Sequence, residues 1–276
     1  MSLSQLQKEK YSTLLAELEQ MKSVALAFSG GVDSSLLLHA AHEALGNEVL
    51  AVTFSTPYSP KSEIDEAIRI AKNMAVSHTL VEHEIPDTIR DNPPERCYLC
   101  KQSLFNKLIQ IAKTKKCNQI IDGSNIDDLD DYRPGFKAVK ELGVKSPLIT
   151  AGMCKQDIRD LSEHFKLSSW NKPAGACLLT RIPHGTIINK EELQRIDKSE
   201  DFLKHLGLTS VRLRSHGNLA RIELPSETLS SFTSSELREQ ISTHLKKVGY
   251  RYVTLDLSGY QMGSLNELTS EESSKE

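Results

Sequence analysis

The chain has 276 residues, 38% of them hydrophobic, with a formal net charge of −3 and an isoelectric point near 6.3. That length allows one large or two modest domains with real cores, and the balanced charge argues against a protein that grips a nucleic-acid backbone. No run approaches the roughly 20 apolar residues of a membrane helix, and residues 1–20 lack the apolar core of a secretion signal, so a cytoplasmic protein with no membrane partner is expected.

After a leading amphipathic helix, residues 23–28 (SVALAF) read as a buried strand. A glycine turn, Ser29-Gly30-Gly31, then opens a helix over 34–45. Next come a strand over 49–54, a helix over 62–74 and an alternating strand near 78–85. A helix over 98–113, a strand over 118–122 and a helix over 155–165 follow. Strands alternating with helices predict an α/β fold, a doubly wound and mostly parallel sheet with helices on both faces. From residue 189 the pattern changes to helix 190–206, strands 209–214 and 220–224, helix 234–247 and strand 250–257. The expected organisation is therefore a domain over 1–188, a smaller C-terminal α+β domain over 189–264 for substrate binding or oligomerisation, and a solvated polar tail over 265–276.

The most informative local feature is Ser29-Gly30-Gly31-Val32-Asp33-Ser34-Ser35, set between strand and helix. Two glycines let backbone approach an anion, and the helix N-terminus supplies free N–H groups and partial positive charge. The bland alternative is a glycine turn with Asp33 or Ser34 as N-cap. The segment is no Walker loop, because G-x-x-x-x-G-K-[ST] is absent. It closely resembles the PP-loop of ATP pyrophosphatases, which hold the pyrophosphate end of ATP and adenylate a substrate. Gly123-Ser124-Asn125 lies just past a strand, on the side of an open α/β sheet where ligands collect. Lys155 and Arg159 resemble the K-x-x-[IV]-R segment of the same relatives. Asp33 is a plausible ligand of the Mg²⁺ that accompanies ATP. Lys101 and Arg133 are candidates for the ATP phosphates, against a surface role. The acidic run at 127–131 reads as a solvated turn, with help to a metal as the alternative.

Five cysteines stand at 97, 100, 117, 154 and 177, an odd number that argues against a disulfide framework. Cys97 and Cys100 are spaced C-x-x-C where a Pro-rich loop enters a helix. Cys177 lies in Lys172-Pro173-Ala174-Gly175-Ala176-Cys177-Leu178, a loop of small residues. Three thiolates suit a [4Fe-4S] cluster with one iron open, whereas structural zinc normally takes four closed ligands. A redox pair plus a buried thiol is the other reading. Cys117 and Cys154 read as packing residues.

Together, SGGVDSS, DGSNIDDLDDYRPG (122–135), NKPAGACLLTRIPHG (171–185), VRLRSHGNLARIEL (211–224) and GYRYVTLDLSGY (249–260) resemble the LarE family, the ATP-dependent sulfur transferases of nickel-pincer nucleotide cofactor synthesis. The resemblance covers nearly the whole chain. It implies ATP-driven adenylation of a carboxylate of pyridinium-3,5-biscarboxylic acid mononucleotide, a small nucleotide substrate, and displacement of AMP by sulfur. Some members sacrifice the sulfur of a single cysteine, matching Cys177. Others hold a cluster with two further cysteines, here Cys97 and Cys100, and draw on an external sulfide donor. Arg212 and Arg214 alternate along one strand and so share a face fit to clamp the nucleotide phosphate, and Arg181 follows the cysteine loop closely enough to meet the same substrate. A homo-oligomer is expected, the usual assembly for soluble enzymes that do associate. A transfer-RNA thiolase of the same superfamily, or a non-catalytic nucleotide or redox sensor, are the rival readings.

Overall fold

A computed structural model describes residues 3–129, 134–173, 175–208 and 210–260. The chain divides into two compact units, one holding the chain up to Thr56, Lys61–Pro86 and Glu95–Gly175, the other Pro57–Pro60, Asp87–Pro94 and the chain from Ala176.

The first unit begins with helix α1 (Gln5–Met21), started by a reciprocal capping box between Ser4 and Gln7. Strand β1 (Val24–Ala27) leads to α2 (Val32–Leu45), β2 (Val49–Ser55), α3 (Lys61–Asn73) and β3 (Ser77–Glu82). Then come α4 (Arg96–Lys115), β4 (Gln119–Ile121), α5 (Pro134–Glu141), the single turn α6 (Pro147–Thr150) and α7 (Lys155–His164). The four strands are all parallel, in the order β3-β2-β1-β4. The fold class is thus the expected one.

Strand alternation divides the core between two faces. Val24 and Leu26 of β1, with Val49 and Ala51 of β2, pack among α1, α2, α3 and α7, against residues such as Leu14, Leu36, Ala67 and Leu161. Ala25, Leu50 and Val52 point the other way, onto Phe105, Leu108 and Ala112 of α4 and Val139 of α5. Burial on both faces is why these strands read as continuous apolar runs. A fully buried leucine such as Leu26 contributes about 1.5–3 kcal/mol by burial. β3 is an edge strand, and its half-exposed alternation reflects that position.

This topology has a consequence for ligands. β1 connects to β2 on one side and has β4 on the other, so the chain turns in opposite directions from neighbouring strands. The crevice beyond the carboxyl ends of β1 and β4 is where doubly wound sheets bind ligands.

The second unit contains a short helical turn at Leu178–Arg181, α8 (Lys190–His205), β5 (Arg212–His216), β6 (Leu219–Glu223), α9 (Ser235–Lys247) and β7 (Tyr252–Leu255). β5 and β6 form an antiparallel hairpin, turned by Gly217 at φ 64° and Asn218, and β7 joins β6 in parallel. Leu193, Ile196, Leu203, Leu213, Ile222, Ile241 and Leu245 are all buried. The parallel β6–β7 pairing requires a crossover, which α9 supplies.

Candidate nucleotide site and cysteine loop

Gly30 sits at φ 69°, a backbone region open to glycine at little cost, and a Cβ there would lie 2.9 Å from the Ala67 Cα. The loop therefore runs directly under α3. Gly31 is the N-cap of α2, without a side-chain bond. Gly31 N–H is held by the Ser29 hydroxyl at 3.3 Å, and Ser34 Oγ donates to Gly31 O at 3.3 Å. The amides of Val32, Asp33 and Ser34 are left as the first-turn donors of α2, the usual seat of an anion. Ser35 is wholly buried, and its hydroxyl has no hydrogen-bond partner among the described residues.

The segment after β4 is built against this turn. A Cβ on Gly123 would stand 3.0 Å from the Ser34 nitrogen, so only glycine lets the two backbones meet. Asp122 accepts from Ser124 Oγ at 2.6 Å and Ser146 Oγ at 2.7 Å. Asn125 Nδ2 donates to Asp33 Oδ1 at 3.3 Å. The acidic run is only partly solvated where it is described: Asp127 is exposed and accepts the first amide of α7, Lys155 N, at 2.8 Å, whereas Asp128 is buried and accepts from the Asn125 amide. Asp130 and Asp131 lie outside the described residues, as does Arg133.

α7 adds the charges. Lys155 Nζ bridges both Asp33 oxygens, at 2.6 and 2.5 Å. One turn on, Arg159 donates to the carbonyls of Trp170 at 2.9 Å and Lys172 at 3.0 Å. Lys172 Nζ in turn reaches Gly30 O at 3.2 Å and Glu66 Oε2 at 3.0 Å. The N-terminus of α7 is pinned by Asp157, which accepts from Lys10 Nζ at 2.6 Å and from the Cys154 amide and thiol, both at 3.2 Å. Burial would raise this carboxyl, but those bonds outweigh it and hold it below the usual carboxylate range. Lys172 and Glu66 carried no local motif of their own; the signal that could have found Lys172 is its place in the small-residue segment before Cys177. Lys101, in α4, packs beside Gly135, where an added Cβ would meet its side chain at 2.8 Å.

Cys97 and Cys100 stand one turn apart at the start of α4, Cys97 exposed and Cys100 half-buried. None of the five cysteines is in a disulfide, and among the described residues no group of three or more His, Cys, Asp or Glu side chains is gathered for a metal. The two α4 thiols fit iron–sulfur ligation in kind and spacing.

In the second unit, half-buried Cys177 caps the turn Leu178–Arg181. Arg181, 3% exposed, donates from its NH1 nitrogen to the Ala176, Cys177 and Thr180 oxygens and pairs with buried Glu200 at 2.9 Å. Arg214 pairs with buried Glu223 at 2.8 Å and donates to Thr180 O at 2.6 Å. Glu223 also binds Arg221, which reaches Asp256. The three arginines are therefore on common ground. Two of them hold carboxylates and the carbonyls around the cysteine turn, which the reading of all three as a phosphate clamp did not foresee. Arg212 differs. Burial, and then the Arg181 charge, push its guanidinium below its ordinary pKa, with Arg214 adding and Glu200 and Tyr260 opposing. An anion beside the buried guanidinium would offset that cost of burial.

A parallel sheet with a tight glycine loop after its central strand, backed by an Asp-Ser-Ser helix start and a lysine from α7, defines an enzyme of the ATP-using PP-loop class. Consistent with this, the NAD synthase family model matches residues 9–95. An uncharacterized protein of Synechocystis is 40% identical over 90% of this chain and 94% of its own. Pyridinium-3,5-bisthiocarboxylic acid mononucleotide synthase of Lactiplantibacillus plantarum is 35% identical over 94% of each chain. An uncharacterized protein of Methanocaldococcus jannaschii is 32% identical over 91% of this chain and 96% of its own. The chain belongs to the LarE family of sulfur transferases that the Lactiplantibacillus enzyme represents.

Proposed function

We propose that this enzyme activates a carboxylate of pyridinium-3,5-biscarboxylic acid mononucleotide with ATP and exchanges the activated oxygen for sulfur. The observation that carries the reading is the glycine loop, whose backbone is packed tightly against α3 and the segment after β4, so that its amides are positioned before ATP arrives. A substrate carboxylate oxygen attacks the α-phosphorus, the bond to the β-phosphate oxygen breaks, and pyrophosphate leaves. A sulfur nucleophile then adds to the acyl carbon and AMP departs, leaving a thiocarboxylate.

Ser29, Gly30, Gly31, Asp33, Ser34, Ser35 and Gly123 form the ATP side of this reading. Asp33 would hold Mg²⁺ together with the phosphates, which requires Lys155 to leave the carboxylate and turn to a phosphate oxygen. Arg212 would take the substrate's phosphate, an anion that offsets the burial of its guanidinium. Arg181 and Arg214 would then shape that pocket and hold the Cys177 turn.

Cys97, Cys100 and Cys177 would hold a [4Fe-4S] cluster, which when bound supplies an iron site for an external sulfide. If no cluster forms, Cys177 itself supplies the sulfur: its Sγ displaces AMP to form a thioester, and elimination of the Cα proton and the Cβ–Sγ bond leaves dehydroalanine.

The test is to mix the enzyme with Mg-ATP and the biscarboxylated mononucleotide and to measure pyrophosphate and the substrate's mass. Pyrophosphate formed only when that substrate is present, with one oxygen replaced by sulfur, supports the reading. Pyrophosphate formed equally with or without the substrate would end it.

A further inference from the structure

The Lys172 ammonium lies against the phosphate loop. It donates to Gly30 O at 3.2 Å, one residue before the N-cap of α2, and its ion-pair partner Glu66 is 3.0 Å away on α3. An ammonium has three N–H donors. Only these two partners engage it among the described residues. Its backbone is not free to drift, because Arg159 binds the carbonyls of Lys172 and Trp170. Glu66 would not be stranded if Lys172 let go, since Arg69 binds the other carboxylate oxygen at 3.3 Å. The neighbourhood thus presents a cation held at the mouth of an anion site by a carboxylate that has a second partner.

We propose that Lys172 is a catalytic residue of the adenylation step, swinging from Glu66 to the β- and γ-phosphates of ATP and neutralising pyrophosphate as it leaves. This rests on the glycine loop being the ATP site, as argued above. When the bond between the α-phosphorus and the bridging oxygen breaks, its electron pair goes to the pyrophosphate, and Lys172 meets that added charge without transferring a proton. Two features favour a ligand role over a structural strut. The lysine sits on a loop carbonyl rather than in the apolar core, and its side chain keeps 17% of its surface exposed. A charge-assisted bond of this kind strengthens as charge accumulates on the leaving group.

The experiment is calorimetric titration of the full chain with Mg-pyrophosphate and, separately, with AMP, for the wild type and for Lys172→Met, Lys172→Arg and Glu66→Gln. Lys172→Met is expected to weaken pyrophosphate binding by about ten- to a hundredfold while leaving AMP affinity unchanged. Lys172→Arg should restore much of the loss, and Glu66→Gln should bind pyrophosphate at least as tightly as the wild type. Pyrophosphate affinity unchanged in Lys172→Met overturns the proposal. So does equal weakening of both ligands, which is the behaviour of a structural residue. A wild type that binds neither ligand would remove the ATP-site reading itself, a result distinct from either of these.

Discussion

At the scale of single residues, the second unit concentrates its energetics in buried ion pairs. Arg181 and Glu200 are 3% and 2% exposed at their side chains, and Glu200 also accepts the Leu213 amide at 2.9 Å. Removing one member leaves a buried charge uncompensated, which costs about 3–5 kcal/mol, whereas replacing both with apolar groups is often close to neutral. Arg181→Ala is therefore expected to lower the denaturant midpoint severely, and Arg181→Met with Glu200→Leu to recover part of the stability, less the cost of the Leu213 amide left without its acceptor. A single variant as stable as the wild type would show that the pair is solvated. Arg181 was legible as a functional candidate because it follows the cysteine loop in sequence. Its pairing with Glu200 was not legible, because that glutamate is 19 residues away on α8.

At the scale of elements, the loop and the helix starts around it carry the account. Gly30→Ala forces a left-handed φ on a side chain and drives its Cβ into the Ala67 backbone, an overpacking cost of about 1–3 kcal/mol. ATP binding should fall with it, measured by calorimetry. Gly46→Ala, at a similar φ but with open space around it, isolates the backbone strain from the clash. The start of α7 depends on pH through Asp157. Its folded pKa is depressed, so its contribution is complete above the ordinary carboxylate value of about 3.9 and is lost as pH falls through the lower folded value. Asp157→Asn should destabilise the protein at neutral pH by about 1–3 kcal/mol, and its deficit against the wild type should shrink in acid. A deficit that stays constant down to pH values well below the carboxylate range would contradict this. The long elements were readable because period and turn chemistry agree: a buried apolar run ahead of Ser29-Gly30-Gly31 became β1, and the helical segment after it became α2. α5 and α6 were missed. α6 is a single turn opened by Pro147, too short to show a helical period, and α5 follows directly on an acidic run that reads as loop.

At the scale of the whole molecule, the chemistry falls into two halves, activation of a carboxylate and delivery of sulfur, and the chain's own residues separate them. Cys177→Ala should abolish thiocarboxylate formation but leave substrate-dependent pyrophosphate release, because the phosphate loop belongs to the first unit and Cys177 to the second. Loss of both activities in a folded variant would mean that Cys177 takes part in activation. The glycine loop and the cysteines were legible because their chemistry is encoded by short segments. Lys155 on Asp33, Asn125 on Asp33 and Lys172 on Gly30 join residues 92 to 142 positions apart, and such contacts appear only when the sheet brings the ends of β1 and β4 together. The most direct test of the central claim follows pyrophosphate and product mass together when the enzyme meets Mg-ATP and pyridinium-3,5-biscarboxylic acid mononucleotide. The account predicts substrate-dependent pyrophosphate and a product in which sulfur replaces one carboxylate oxygen. Pyrophosphate release indifferent to that substrate, or a product bearing an amide in place of the thiocarboxylate, would contradict it.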